Sequence, residues 1–328
     1  MSNYKRLRVA LIYGGRGFES EVSCKGKEHI LPILAKSYEV YPIFIARDGR
    51  WLYGERELFP AFRDFIFENG ERLYVDAAIP LLHGNYGEDG VVQGALENAR
   101  IPYVGCDTIC SAVCRDKTVL KAVAKGLDIP TLPCLTVGQG EEIDRSVIVA
   151  EEKFGYPLFI KPTRLGSSIG AAKADNRNEL KAALHNALRL CDRAMIEPYL
   201  SCKREIECGY FSAGEAEIYS HPGEILIDGV YDYNGKYKSD TRLAEVAELD
   251  AEICRRLRGY SERLVAALNI RHISRIDYFL VRDEIYLNEI NTMPGFTDQS
   301  LYARMIGASG IDENEMFRRL IEAVIGDR

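Results

Sequence analysis

Arg275-Ile276-Asp277-Tyr278-Phe279-Leu280-Val281, followed after a short polar break by Ile285-Tyr286-Leu287-Asn288-Glu289-Ile290-Asn291, is the stretch on which the fold turns. Both runs are rich in β-branched and aromatic residues, so each reads as a strand, and Arg282-Asp283-Glu284 reads as the hairpin connection. With that connection Val281 opposes Ile285, Asp277 opposes Glu289 and Arg275 opposes Asn291. Successive side chains of a strand point to opposite faces, so Arg275 and Asp277 share a face of one strand and Glu289 and Asn291 share a face of the other. Apolar pairs then lie near the turn and a polar quartet lies at the open end. Two carboxylates, an amide oxygen and a guanidinium on one sheet face form an oxygen-ligand cage for Mg²⁺ beside an anion clamp. An exposed ion-pair ladder would use the same charges, but surface pairs add little stability and do not require an amide oxygen beside them.

Working outward, strands over 206–211, 273–281 and 285–290 surround a polar, glycine-rich stretch at 228–240, which predicts an antiparallel lobe carrying a long mobile loop. Upstream, Pro130 and Pro133 punctuate the chain before a smaller αβ stretch with Phe159-Ile160-Lys161 and a loop over 163–170. At the N-terminus a buried-type strand over 8–13 breaks at Gly14-Gly15-Arg16-Gly17 before a helix over 21–35. Strands at 40–46 and 77–82 and helices at 91–98 and 111–125 continue the alternation, which predicts an open, mostly parallel sheet. The fold class is therefore α/β with α+β, in three lobes over 1–110, 111–197 and 198–328. The aromatic and charged segment 48–76 has no assigned role.

Composition bounds the function. The 328 residues exceed one typical domain, and 47% apolar with 28% charged residues describes an ordinary globular chain. A formal charge of -7, with basic residues interspersed among acidic ones, disfavours nucleic acid as a partner. The apolar run Val9-Ala10-Leu11-Ile12-Tyr13 is too short for a secretory segment and no other run approaches a bilayer span, so no membrane role and a cytoplasmic location are expected. Nine scattered cysteines fit reduced thiols. Cys106, Cys110 and Cys114 recur every four residues, a spacing that suits a metal less well than one face of a helix, given that no histidine is near.

Three further motifs carry chemistry. The first strand ends in a turn that holds Glu19 where open α/β sheets bind ligands, although Glu19 or Glu21 would equally favour the next helix by charge. Leu81-Leu82-His83-Gly84-Asn85-Tyr86-Gly87-Glu88-Asp89-Gly90 repeats the arrangement and adds His83 to that crevice; such a histidine is open to a structural or a functional reading, and Asp89 reads as a helix N-cap. In Lys161-Pro162-Thr163-Arg164-Leu165-Gly166-Ser167-Ser168-Ile169-Gly170 a lysine at a strand end precedes a loop of small residues whose N–H groups and hydroxyls suit a triphosphate. A surface hairpin with a snorkelling lysine is the alternative, and Lys117 on the preceding helix shares that ambiguity.

Taken in order, GGRGFESEVS, LLHGNYGEDG, RDK at 115–117, KPTRLGSSIG, IEPYL, YDYNGKY, RID and NEINTMPGFTDQSL resemble the motifs of the D-alanine:D-alanine ligases within the ATP-grasp superfamily, over nearly the whole chain. The resemblance implies an ATP-grasp fold with an N-terminal open parallel α/β lobe, a small central αβ lobe and a C-terminal antiparallel lobe. It implies ATP between the second and third lobes, with Lys117, Lys161 and Lys236 on the phosphates and Gly166, Ser167 and Ser168 in a closing loop. Glu197, Tyr199 and Leu200 would hold adenine by backbone and carboxylate contacts, and Glu205 the ribose. Asp277, Glu289 and Asn291 would ligate Mg²⁺, with Mn²⁺ as an alternative. Glu19 would receive the ammonium of the first D-alanine in a hydrogen-bonded set with Ser167 and Tyr237, and His83 joins the substrate crevice.

The implied chemistry begins with attack of the first D-alanine carboxylate on the γ-phosphorus to give an acyl phosphate, with Arg275 spreading charge. The amine of a second D-alanine then attacks, with the oxyanion met by Arg275 and the Gly295 N–H, the acceptor carboxylate held by Ser300 and its methyl group against Leu301. The 228–240 stretch would close as a lid to exclude water. Relatives that use D-lactate tend to carry histidine in place of Tyr237, and those using lactate or serine often carry arginine in place of Leu301, so both residues here favour D-alanine over D-serine or D-lactate as acceptor. After Tyr237 the chain lacks the aromatic and proline residues common in relatives, so the far half of the lid is expected to pack differently. A homodimer is also implied.

Overall fold

Strand β1 (Arg8–Gly14) buries Val9, Ala10, Leu11 and Ile12 without exposed surface, the continuous apolar run of a parallel strand covered on both faces. The computed structural model describes residues 6–201, 203–226, 246–297 and 300–326 in full and the backbone of 242–244. After β1 come helix α1 (Ser20–Leu34) and strand β2 (Glu39–Ile45), which pairs in parallel with β1. The segment without an assigned role then folds as four short strands, β3 (Trp51–Tyr53), β4 (Arg56–Ala61), β5 (Asp64–Phe67) and β6 (Arg72–Tyr74), each antiparallel to the one before. Strand β7 (Ala77–Pro80) returns beside β1 in parallel, giving the order β6-β5-β4-β3-β2-β1-β7. The sheet is thus mixed rather than mostly parallel as expected: only β2, β1 and β7 run parallel, and the short strands of the 51–74 segment extend it on one side as an antiparallel meander. Helix α2 (Val91–Asn98) follows the 83–90 loop.

The single helix expected over 111–125 is two, α3 (Thr108–Arg115) and α4 (Lys117–Gly126). Asp116 is the cause. It takes an extended backbone (φ -88°, ψ 104°), and its carboxylate accepts from the N–H groups of Thr118 and Val119, capping α4. Cys106, Cys110 and Cys114 are buried in the core beneath the third sheet, so their spacing serves packing.

A four-stranded antiparallel sheet follows, ordered β10-β9-β11-β8, from β8 (Leu135–Gly138), β9 (Leu158–Pro162), β10 (Ala172–Ala174) and β11 (Arg193–Pro198). Helices α5 (Ile143–Phe154) and α6 (Arg177–Leu190) cover it. The last sheet is antiparallel and comprises β12 (Arg204–Ala213), β13 (Ala216–Tyr219), β14 (Gly223–Leu226), β15 (Arg242–Ala244), β16 (Ile273–Val281) and β17 (Glu284–Asn291). Helix α7 (Ala251–Leu268) packs on it, and α8 (Leu301–Ala308) and α9 (Glu313–Gly326) bring Tyr302, Phe317 and Leu320 into the same core as Val9, Leu11 and Ile79 of the first sheet. Met293 and Phe296 join this shared core and so tie the segment after β17 to the first sheet. Among the described residues no helix is long and apolar enough to cross a membrane.

Candidate active site

Across the β16–β17 hairpin Arg275 opposes Asn291 and Asp277 opposes Glu289, the register read from the sequence. Nearer the turn the pairing differs: Val281 opposes Glu284 rather than Ile285, because the connection is only Arg282-Asp283, with Arg282 in the left-handed region (φ 55°). A register shift between Asp277 and Tyr278 leaves Asn288 unpaired and restores the offset, which is the geometry of a β-bulge. The bulge has a chemical consequence. Strict alternation would send Asn288 and Glu289 to opposite faces, yet both line one cavity with Asp277, and Asn288 Oδ1 accepts from Lys161 Nζ at 3.2 Å.

Charged groups around the hairpin are tightly partnered. The Arg275 guanidinium donates to both oxygens of Asp277 at 2.8 and 2.7 Å, and its Nε stands 3.2 Å from Glu207 Oε1. Asn291 Nδ2 donates to Asp277 Oδ2 at 3.0 Å. Lys117 Nζ, 3.0 Å from Glu289 Oε2, also donates to Leu165 O at 2.8 Å; burial is the largest influence and lowers its pKa, with Glu289 opposing. Glu207 faces Asp277 across β12–β16, and the sequence reading missed it, although the alternation Glu205-Ile206-Glu207 carries the signal.

The buried Glu197 carboxylate lies between two lysines, Lys121 at 2.5 Å and Lys161 at 2.8 Å. Burial works against its ionisation, but Lys161 and Lys121 outweigh it and hold its pKa below the usual value. Both carboxylate oxygens are thus engaged by lysines rather than presented to a base.

Two cavities adjoin here. The first is lined by Lys117, Lys161, Gly166, Ser168, Glu205, Asp277 and Glu289, with Phe159 and Phe279 as apolar walls. Tyr199 packs against Phe159, with ring centroids 6.3 Å apart; none of Glu197, Tyr199 and Leu200 lines the cavity itself. The second is lined by Glu19, His83, Glu88, Arg275, Asn291, Gly295, Ser300 and Leu301. Gly166, Ser167, Glu207, Ile225 and Glu289 line both. Ser167 and Ser168 take successive left-handed conformations (φ 50° and 57°), a strained loop form that lets the chain turn between the cavities.

At the head of the second cavity, Glu19 occupies the N-cap position of α1 without capping it by its side chain. Its Oε1 instead accepts from Ser167 Oγ at 2.5 Å, which ties the turn to the 163–170 loop. Gly84 (φ +73°) makes room: a Cβ there would stand 2.0 Å from Glu19 Oε2. His83 is buried with Nδ1 3.1 Å from Met293 O, and Nε2 has no hydrogen-bond partner among the described residues. Burial holds its pKa below the ordinary imidazole range, with Glu19 opposing. A neutral ring donating from Nδ1 leaves Nε2 as an acceptor at the cavity.

Glu88, also missed in the sequence, accepts from Gly84 N at 2.8 Å and Met293 N at 3.3 Å. Burial pushes its carboxyl up to about 7, with Arg115 pulling it down and Glu19 adding to the rise. Asp89 is one residue off its expected place: Gly90 (φ 92°) is the N-cap of α2, and Asp89 Oδ1 accepts from Val91 N at 3.3 Å. At the other end, Ser300 Oγ accepts from Thr297 N at 2.9 Å, and a Cβ at Gly295 would come within 2.8 Å of that oxygen. Leu301 is buried in a small apolar cluster with Ile225 and Met305. Lys236, Tyr237 and the 228–240 stretch lie outside the described residues.

Asp277, Glu289 and Asn291 offer only oxygen donors, which suits a hard divalent cation. Among the described residues no group of three His, Cys, Asp or Glu could hold a metal, so a set here has to include the Asn291 amide. Asn291 stands beside Asp277 with its amide Nδ2 on Asp277 Oδ2, and Arg275 holds both oxygens of that carboxylate, so the residue types fit such an ion while the Asp277 oxygens are engaged within the protein.

Comparisons with known proteins find relatives over nearly the whole chain. The domain family described as D-ala D-ala ligase N-terminus matches residues 8–64 and 63–106, and that described as D-ala D-ala ligase C-terminus matches 123–322. A D-alanine-D-alanine ligase of Solibacter usitatus is 38% identical over 97% of this chain and 95% of its own length. One from Acetivibrio thermocellus is 35% identical over 97% and 96%. Among solved structures, a D-alanyl-alanine synthetase A from Vibrio cholerae superposes with a TM-score of 0.89 at 28% identity, covering 98% of this chain and 99% of that one. The VanG D-Ala:D-Ser ligase from Enterococcus faecalis gives 0.86 at 30% identity, covering 98% and 100%.

Proposed function

The chain belongs to the D-alanine:D-alanine ligase family of ATP-dependent ligases, and from that premise we propose how its two cavities divide the joining of two D-alanines into D-alanyl-D-alanine for peptidoglycan synthesis. The observation that carries the division is that the two cavities meet at Gly166, Ser167, Glu207, Ile225 and Glu289, so a group bound in one can be transferred to a molecule in the other.

ATP takes the first cavity, with Lys117 and Lys161 on its phosphates, Gly166 and Ser168 in the covering loop and Glu205 toward the ribose. Adenine lies along Glu197, Tyr199 and Leu200 through backbone contacts, since the Glu197 carboxylate is engaged by Lys121 and Lys161. Asp277, Glu289 and Asn291 hold Mg²⁺, or Mn²⁺ in its place, and the ion when bound supplies charge neutralisation for the phosphates. The donor D-alanine takes the second cavity, its ammonium on Glu19 beside Ser167 and its carboxylate toward the junction. Attack of that carboxylate on the γ-phosphorus gives D-alanyl phosphate and ADP. Arg275, held by Asp277 and Glu207, faces the charge that develops. The acceptor amine then attacks the acyl carbon with loss of phosphate, its carboxylate on Ser300, its methyl on Leu301 and the oxyanion toward Arg275 and the Gly295 N–H. Lys236 and Tyr237 complete the set in this reading.

The reading keeps the lobe boundaries at 110 and 197 and a cytoplasmic homodimer. D-Serine or D-lactate as acceptor is the alternative within the family, and the apolar Leu301 environment speaks against it. The mechanism is tested with D-alanine labelled with ¹⁸O in the carboxylate: one labelled oxygen should appear in the released phosphate. Unlabelled phosphate formed alongside dipeptide would contradict the acyl phosphate.

A further inference from the structure

Arg115, Asp116 and Lys117 at the α3–α4 junction reach three different places. Lys117 turns to Glu289 and Leu165 O, Asp116 Oδ2 takes Arg193 at 2.6 Å, and Arg115 turns toward the head of the second cavity. The break in the helix at Asp116 makes this divergence possible, since it uncouples the last residue of α3 from the first of α4.

The Arg115 side chain is only 9% exposed, so its charge must be compensated locally. Its Nε and Nη2 both donate to Asn85 Oδ1 at 3.2 Å, Nη2 stands 3.6 Å from Glu19 Oε2, and Nη1 stands 3.9 Å from Glu88 Oε2. Nη1 is also close under Gly166, where a Cβ would lie 3.1 Å away. One rigid planar fork therefore touches the turn bearing Glu19, the 84–88 loop and the loop carrying Ser167. Glu88 in turn fixes Met293 N, whose carbonyl holds His83.

We propose that Arg115 is a positioning residue for the donor subsite: it locks Glu19 and the His83-bearing loop into one frame and so sets the requirement for the first D-alanine, while leaving ATP binding alone. This rests on the ligase reading above. The rigid fork matters because Glu19 has to present its carboxylate to an ammonium group while a second cation stands beside it, and only a fixed geometry lets both be accommodated.

The test reads the donor half alone, using hydroxylamine to trap the acyl phosphate as D-alanine hydroxamate. The Arg115→Met variant should need at least about tenfold more D-alanine for half-maximal hydroxamate formation, with the ATP requirement within about twofold of the parent. Arg115→Lys, which keeps the charge without the fork, should recover only part of the loss. Asn85→Ala, at a partly exposed position, loosens the same guanidinium without removing it and should shift the D-alanine requirement the same way, which keeps the test open if Arg115→Met does not fold. An unchanged D-alanine requirement in Arg115→Met or Asn85→Ala, or equal losses for D-alanine and ATP, would overturn the proposal. Absence of hydroxamate from the parent protein would instead strike at the ligase reading itself.

Discussion

Lys117 Nζ lies 3.0 Å from Glu289 Oε2, joining the first residue of α4 to the bulged strand β17. The two side chains are largely buried, 7% and 17% exposed, and Glu289 serves two partners in our account, a lysine in the folded protein and a metal ion in the reaction. Glu289→Gln keeps shape and removes the charge both require. It should lower turnover on the order of a hundredfold or more. It should also lower unfolding free energy by about 1–3 kcal/mol, because the buried Lys117 ammonium loses its anionic partner. Assays across a Mg²⁺ titration and denaturant melts measure the two effects; near-parent turnover at ordinary Mg²⁺ would show that the cage is misassigned.

Lys161 is also a shared residue, which alters what its removal means. Lys161→Ala should raise the ATP requirement far more than the D-alanine requirement, since the side chain lines the first cavity only. It should at the same time destabilise the protein by roughly 3 kcal/mol, because Glu197 is left with Lys121 alone in a buried site. Adding Glu197→Gln to Lys161→Ala should cost less than the sum of the single changes, which a double-mutant cycle of unfolding free energies reads directly. Strict additivity would mean that the two side chains do not share a charge balance.

Glu88 gives a pH dependence with a defined sign. Its carboxyl, raised from the ordinary glutamate value to about 7 chiefly by burial, binds its proton more tightly folded than unfolded. Stability therefore falls as pH rises through that window, by on the order of 2–3 kcal/mol from this group, and is flat from this source above it. The difference in unfolding free energy between the parent and Glu88→Gln should change by that amount between pH 4.5 and pH 8, with the variant gaining on the parent as pH rises. A constant difference would mean that Glu88 is ionised throughout.

Much of this site was legible in the sequence because alternation is a strong signal in long strands. The facing pairs Asp277 with Glu289 and Arg275 with Asn291 follow from it, even though the turn and the bulge each moved the register by one residue and cancelled. The bulge itself left no trace, since Leu287-Asn288-Glu289 contains no glycine or other residue that marks an interruption. The break at Asp116 was hidden for a related reason: an aspartate next to a lysine is as compatible with a helix interior as with a cap until its carboxylate is seen on Thr118 N. The meander from Trp51 to Tyr74 escaped notice because its strands are only three to six residues long, too short for periodicity to speak. Glu88 and Arg115 read as ordinary charges, and only partners up to 205 residues away reveal why they are buried.

Leu301 bears on the acceptor. It is buried with Ile225 and Met305 and lines the second cavity, and in the proposed reading it gives the methyl group of D-alanine a dry contact and the hydroxyl of D-serine no partner of its own. Leaving that hydroxyl unpaired should cost about 1–3 kcal/mol, or roughly tenfold to a hundredfold in selectivity. Leu301→Ser should narrow the ratio of D-alanine to D-serine incorporation toward unity, read from initial rates with each acceptor. A ratio unmoved by the substitution would place the acceptor elsewhere.

The most direct test of the central claim is product identification by mass spectrometry after ATP and Mg²⁺ are supplied with D-alanine, D-serine and D-lactate at equal concentration near neutral pH. The account predicts D-alanyl-D-alanine as the main product, with one ADP and one phosphate formed for each peptide bond. A predominant mixed dipeptide or depsipeptide, or ATP cleavage that does not depend on D-alanine, would contradict it.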